Sequence, residues 1–100
     1  MAIGVMVEIP GGTQKQYDQV MRRLNLGGRL PAGALSHVAG PVEGGWRVID
    51  VWEDKEDYHL FVQGQLMKAM QEAGLPPAPP TFFPVHNILA PQPQARRRAA

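Results

Sequence analysis

The 100-residue sequence predicts a small α+β domain with the element order β-α-β-β-α-β. Three observations carry this expectation. A β-branched run opens the chain, a short Gly/Pro turn joins two apolar runs into a central hairpin, and two amphipathic helical stretches each have their own start and stop signals.

Residues 3–9 (Ile-Gly-Val-Met-Val-Glu-Ile) alternate well enough for a strand, and Pro10-Gly11-Gly12 stops it. Thr13 is placed as a helix N-cap, with Gln16 completing a capping box. Tyr17, Val20, Met21 and Leu24 then form one apolar stripe, and Asn25 to Gly28 ends the helix. After a loop at 29–33, residues 34–39 (Ala-Leu-Ser-His-Val-Ala) read as a short strand and Trp46 to Trp52 as a longer one. The turn-rich segment 40–45 between them makes a hairpin.

Asp54 is the next N-cap, and Glu56 and Asp57 suit the helix dipole in the first turn. Tyr58, Phe61, Val62, Leu66, Ala69, Met70 and Ala73 form a continuous apolar stripe until Gly74 and the prolines at 76, 77, 79 and 80 forbid continuation. Residues 81–89 are the last strand. Pro84 within it cannot donate to a ladder, which puts this strand at a sheet edge. That is the fourth strand of a ferredoxin-like antiparallel sheet in order 4-1-3-2, with both helices on one face. The other face carries Ile49 and Val51 or their neighbours and should not be left in water, so a twofold homodimer is expected.

Composition bounds the rest. An apolar fraction of 44% and a charged fraction of 19% are those of a globular chain. The expected division is one domain over residues 1–90 followed by a flexible Pro/Gln/Arg tail over 91–100. Three of the ten basic residues are Arg96, Arg97 and Arg98, so the folded part has seven against nine acidic ones. That balance offers no basic surface for nucleic acid. No apolar run approaches the roughly 18 residues a membrane span needs. The first residues have neither a basic n-region nor a cleavage site, so no signal peptide is expected. With zero cysteines as well, a cytoplasmic location fits best.

Three stretches together resemble the dimeric α+β barrel superfamily, in particular its antibiotic-biosynthesis-monooxygenase-like branch. They are Thr13-Gln-Lys-Gln-Tyr17-Asp, Gly45-Trp46-Arg47-Val48-Ile49-Asp50-Val51-Trp52-Glu53-Asp54, and Phe83-Pro84-Val85-His86-Asn87, within a similarity spanning about residues 2–90. The resemblance implies two sheets packed across a dimer into a barrel, with a pocket between sheet and helices in each subunit. It also implies a choice of activities: cofactor-independent oxygenases of phenols and quinols, polyketide cyclases, haem-degrading enzymes, lactone isomerases, and stress proteins with no assigned chemistry. Fold does not choose among these. The haem-degrading members use an Asn on the first strand with a Trp and a haem-ligating His. This first strand has no Asn, and the Trp–His pair of that general kind is Trp52 and His59, so haem chemistry is not expected.

The residues themselves narrow the chemistry. Ser36, the only serine, lacks the glycines of a nucleophile elbow, and three scattered histidines give no metal spacing. The glycine pairs at 11–12, 27–28 and 44–45 are turns rather than phosphate loops, so no cofactor is expected. If the hairpin turns at Pro41 to Gly44, His37 lies opposite Val48 and Leu35 opposite Asp50. His37, Trp46, Asp50 and Trp52 then share the face toward the helices, with His37 diagonal to Asp50. A slip of one residue would break that grouping. A carboxylate that orients a histidine is general-base geometry.

The candidate catalytic residues are therefore His37, Asp50 and His86. The candidate ligand-binding residues are Tyr17, Trp46, Trp52, Tyr58 and Phe61, around an apolar cavity for a small aromatic or polyketide-like molecule. The expected activity is that of a cofactor-independent oxygenase or polyketide cyclase. The alternative is a non-catalytic ligand-binding or stress-related dimer, in which Trp46 and Trp52 are core residues, His86 has a structural or interface role and His59 is solvated. Asp50 weighs most, because a carboxylate between Ile49 and Val51 costs several kcal/mol if buried without a partner.

Overall fold

A computed structural model of the chain describes residues 1–90; the expected tail at 91–100 lies outside the described residues. The elements follow the expected order: β1 (Ile3–Pro10), α1 (Gln14–Leu24), β2 (Ala34–Val42), β3 (Gly45–Trp52), α2 (Lys55–Phe61), a π-helical segment (Val62–Leu66), α3 (Met67–Glu72) and β4 (Pro80–Pro84). The antiparallel sheet has the order β2-β3-β1-β4, the ferredoxin-like order read from the opposite edge. No helix among the described residues is long and apolar enough to cross a membrane.

Local chemistry explains the boundaries. The Thr13 hydroxyl accepts from the Gln16 N–H while the Gln16 side chain takes the Thr13 N–H, a complete capping box. α1 ends on Asn25 in the left-handed region (φ 53°), with its N–H donating to the Met21 carbonyl. At α2 the Asp54 carboxylate accepts from the Asp57 N–H at 2.8 Å.

Three expectations need correction. The hairpin turns at Glu43-Gly44, not at Pro41 to Gly44. Gly44 adopts φ +79°, which allows a two-residue turn, and β2 runs on through Gly40 and Pro41 because an edge strand tolerates a missing donor. The register therefore shifts by two, setting His37 opposite Asp50 instead of Val48. The last strand ends at Pro84 rather than Leu89. One further bond, from the Val85 N–H to the Ala2 carbonyl, closes its ladder with β1. The second helix is not one regular stripe either, since the π-helical turn at Val62–Leu66 interrupts it.

The even-numbered residues of β3 face the helices and build two apolar clusters. Ile9, Val20, Trp46, Ala69, Ala73 and Leu75 form one; Val5, Trp52 and Tyr58 form the other, with Phe61, Val62 and Phe82 packed against it. Trp52 and Val5 are each only 1% exposed. The opposite face leaves apolar side chains open, Val38 at 62% and Phe83 at 49% exposure among them. There the Phe83 ring lies over Gly4, where a Cβ would collide with it.

Gly45 tests the packing beside the turn. A Cβ there would run into the carbonyl oxygen of Ile9 on the neighbouring strand, whereas one on Gly40 would meet nothing. Gly45→Ala should cost about 1–3 kcal/mol in thermal unfolding, and Gly40→Ala should leave the melting temperature near wild type.

Candidate active site

The corrected register puts a polar pair into one row of the sheet. Across the strands this row reads His37, Asp50, Val5, Phe82, all pointing toward the helices. At the start of β2 the ladder steps from Ala34 opposite Trp52 to Ser36 opposite Val51, leaving Leu35 as an extra, bulged residue. From Ser36 onward the pairing is regular, and His37 is fixed directly across from the carboxylate. Because the shift from the expected register is even, every β2 side chain from Ser36 onward keeps its face, and only Ala34, before the bulge, changes sides to pack by Trp52.

Asp50 is nearly enclosed, with its side chain 15% exposed. It satisfies both oxygens. Oδ1 is 2.6 Å from Nδ1 of His37, and Oδ2 accepts from the Trp52 indole N–H at 3.3 Å. The second imidazole nitrogen, Nε2, is 2.6 Å from the hydroxyl of Tyr17 on α1. With a carboxylate at Nδ1, that nitrogen carries the proton of the neutral ring, and Nε2 accepts from the phenol. The result is a hydrogen-bonded chain from Trp52 through Asp50 and His37 to Tyr17, drawn from three elements.

Aromatic packing frames this chain. Tyr17 leans on Trp46, with ring centroids 5.3 Å apart. Trp52 meets Tyr58 edge-on at 5.7 Å and Phe61 at 5.5 Å. Trp46 is buried, and its indole N–H finds no hydrogen-bond partner among the described residues. Between sheet and helices the rings expected to line a cavity pack on one another, Tyr17 on Trp46 and Tyr58 and Phe61 on Trp52. Cavities form elsewhere, for example about 200 Å³ beside Met67, Met70, Gln71, Leu75 and Pro77. The polar chain instead meets solvent at the β2 edge, where the His37 side chain is 29% exposed.

No protein-family model matches the sequence, and no curated protein aligns with it. Solved structures do match in shape. A candidate antibiotic biosynthesis monooxygenase from Chloroflexus aurantiacus J-10-fl superposes with a TM-score of 0.61 at 17% identity, over 88% of this chain and 97% of that one. SnoaB, a cofactor-independent oxygenase from Streptomyces nogalater, gives 0.56 at 18% identity over 88% and 95%. The monooxygenase of the ActVA-Orf6 gene of Streptomyces coelicolor, solved with nanaomycin D, gives 0.51 at 23% over 91% and 92%. The chain has the antibiotic-biosynthesis-monooxygenase-like fold.

Against that fold, seven of the eight candidate site residues fall into one connected group. His37, Asp50, Tyr17 and Trp52 are hydrogen-bonded, while Trp46, Tyr58 and Phe61 pack on their rings. His86 stands apart, exposed beyond the end of β4. His59 is exposed too, edge-on to Phe82. Among the described residues, no group of three or more His, Asp or Glu side chains is placed to hold a metal ion. Sequence reasoning did not foresee the direct bond between Tyr17 and His37. Its only advance signal was an aromatic in the first turn of a helix whose stripe must face the sheet.

The electrostatics favour phenol over phenolate. Burial, then the charges of Asp50 and Asp18, raise the Tyr17 pKa above its ordinary 10.0, and burial with Asp50 does the same for Tyr58. A raised folded-state value means the native protein holds protons that the unfolded chain releases. The associated stability is complete below pH 10.0 and is lost as pH rises through the folded-state values. Alkaline titration of the tyrosinate absorbance should show both tyrosines ionising above pH 10.0, with thermal stability declining over the same range.

Proposed function

We propose that this chain is a cofactor-independent oxygenase or polyketide cyclase, acting on a phenolic, quinol or polyketide-like molecule by acid–base chemistry. The observation that carries the reading is the Asp50–His37–Tyr17 hydrogen-bond chain, with both links at 2.6 Å. Asp50 holds the imidazole in one tautomer and stabilises the imidazolium that forms when Nε2 takes a proton. An electron-rich ring that loses its hydroxyl proton becomes a phenolate able to give one electron to molecular oxygen. Recombination of the radical pair forms a C–O bond, and loss of water from the hydroperoxide leaves a quinone, so one phenol and one O₂ yield one quinone and one water. In the cyclase version the same base enolises a β-carbonyl, and the enolate carbon attacks a second carbonyl. His37 takes the base role because it alone of the three histidines has an orienting carboxylate.

The second reading is a non-catalytic ligand-binding dimer. The packing of Tyr17 on Trp46 and of Tyr58 and Phe61 on Trp52 favours it, because rings in mutual contact serve the core. Ligand-induced thermal shifts with phenols, quinols and polyketide intermediates, followed by oxygen-consumption and cyclisation assays, separate the two. Binding without turnover supports the second.

The assembly we infer is a twofold homodimer through the open sheet face, where Val38, Ile49 and Phe83 are exposed together. Light scattering after size exclusion should give twice the 11.0 kDa of one chain, and Val38→Asp should return it to a single chain's mass.

Asp50→Asn tests the base. The amide oxygen can accept from the His37 Nδ1–H or from the Trp52 N–H, but not from both, so about 1 kcal/mol of stability should go. Turnover should fall by about 10²-fold or more, because the imidazolium loses its counter-charge. A loss of several kcal/mol in melting experiments with turnover intact would assign Asp50 a structural role instead.

A further inference from the structure

Nothing in the acid–base reading requires the substrate to touch His37, and the geometry argues that it does not. Nδ1 of His37 is taken by Asp50 and Nε2 by the Tyr17 hydroxyl, so neither ring nitrogen is left free for a ligand. The Tyr17 and His37 rings are parallel to within 5°, yet their closest approach is oxygen to nitrogen at 2.6 Å. Their centroids are 6.0 Å apart, too far for face-to-face contact, and the hydroxyl bond to Nε2 is what joins them. At 2.6 Å the bond between the phenol hydroxyl and Nε2 is short enough for a proton to pass along it. Trp46 packs against the Tyr17 ring, with centroids 5.3 Å apart, and holds it there.

We infer that Tyr17 is the catalytic residue that meets the substrate, relaying a hydroxyl proton from a phenol or hydroquinone to His37. The substrate O–H proton passes to the Tyr17 oxygen as the Tyr17 proton passes to Nε2. Tyr17 ends as it began, a neutral phenol, and no electron moves in this step. The substrate leaves it as a phenolate, and the positive charge rests on an imidazolium paired with Asp50. Such a relay begins with a hydrogen bond between two oxygens and ends on Nε2. It fits an O–H acid, whereas the carbon acid of a β-carbonyl offers Tyr17 no comparable hydrogen bond. Tyrosinate never needs to accumulate, in keeping with burial and Asp50 both disfavouring it. This inference rests on the acid–base reading above and narrows its substrate class to phenols and hydroquinones.

The probe is 4-nitrophenol, whose phenolate is coloured, titrated against the full-length chain without any need for turnover. The wild type should lower the apparent pKa of the bound probe by about one unit, roughly tenfold in the ratio of phenolate to phenol. Tyr17→Phe, His37→Gln and the double variant should each abolish the shift to the same extent, because links in one relay fail as a unit. His86→Ala should keep it. Circular dichroism and melting temperature establish that each variant is folded. If Tyr17→Phe ionises the probe as well as the wild type or better, Tyr17 is a cap over the base and the inference fails. It fails equally if the wild type does not ionise the probe. Ionisation of the probe with no oxygen consumption on any quinol would leave the relay standing and remove the oxygenase reading instead.

Discussion

A single carboxylate with little access to water organises this fold around itself. Asp50 sits in the middle of β3, between His37 on one neighbouring strand and the buried Val5 on the other. Left unpaired there, it would cost several kcal/mol. The cost is met by two donors, and each donor is thereby immobilised: the His37 imidazole in the row of the sheet, and the Trp52 indole two residues along the same face. Trp52, fixed by its N–H, becomes the surface on which Tyr58 and Phe61 pack. His37, fixed at Nδ1, presents Nε2 to α1. The position of both helices over the sheet is thus tied to one charge, which explains how a residue without packing value can sit in an apolar strand.

The fold was legible because its signals are local and redundant. Thr13 with Gln16, and Asp54 with Asp57, announce helix starts that tertiary context does not override. The alternation in β3 sorts Trp46, Asp50 and Trp52 onto one face whatever the turn does. The grouping of the candidate residues was legible for the same reason: an error of two in the hairpin register moves His37 from beside Asp50 to directly opposite it without turning either away. An odd error would have destroyed the grouping.

What was not legible depends on geometry that pattern cannot carry. A two-residue turn at Glu43-Gly44 and a longer one at Pro41 to Gly44 have nearly the same residue signals, and only the ladder decides between them. The length of β4 depends on how far β1 runs beside it, a property of the pair rather than of residues 81–89. Whether the space between sheet and helices is a cavity or a packed layer depends on the summed volume of five rings and the distance between layers. The bond from Tyr17 to His37 joins a helix to an edge strand and leaves no periodic trace.

The π-helical turn completes the logic of the split core. The chain Trp52–Asp50–His37–Tyr17 places polar groups between two apolar clusters, one around Trp46 and one around Trp52. The second helical stretch must serve both. Phe61 and Val62 pack on the Trp52 side, while Leu66, Ala69, Met70 and Ala73 pack on the Trp46 side. A straight α-helix carries one apolar stripe along one line. An extra residue within a turn rotates all that follows by about 100°, which re-aims the stripe from one cluster to the other. The turn lies where the change occurs, at Val62–Leu66, and Gly64 within it meets nothing that a Cβ would strike. Gly64 is therefore not there for room, and the wide turn answers to the apolar residues on either side of it. The stripe is re-aimed where its contacts pass from the Trp52 cluster to the Trp46 cluster, while Val7 on β1 packs against both and keeps the two in one core.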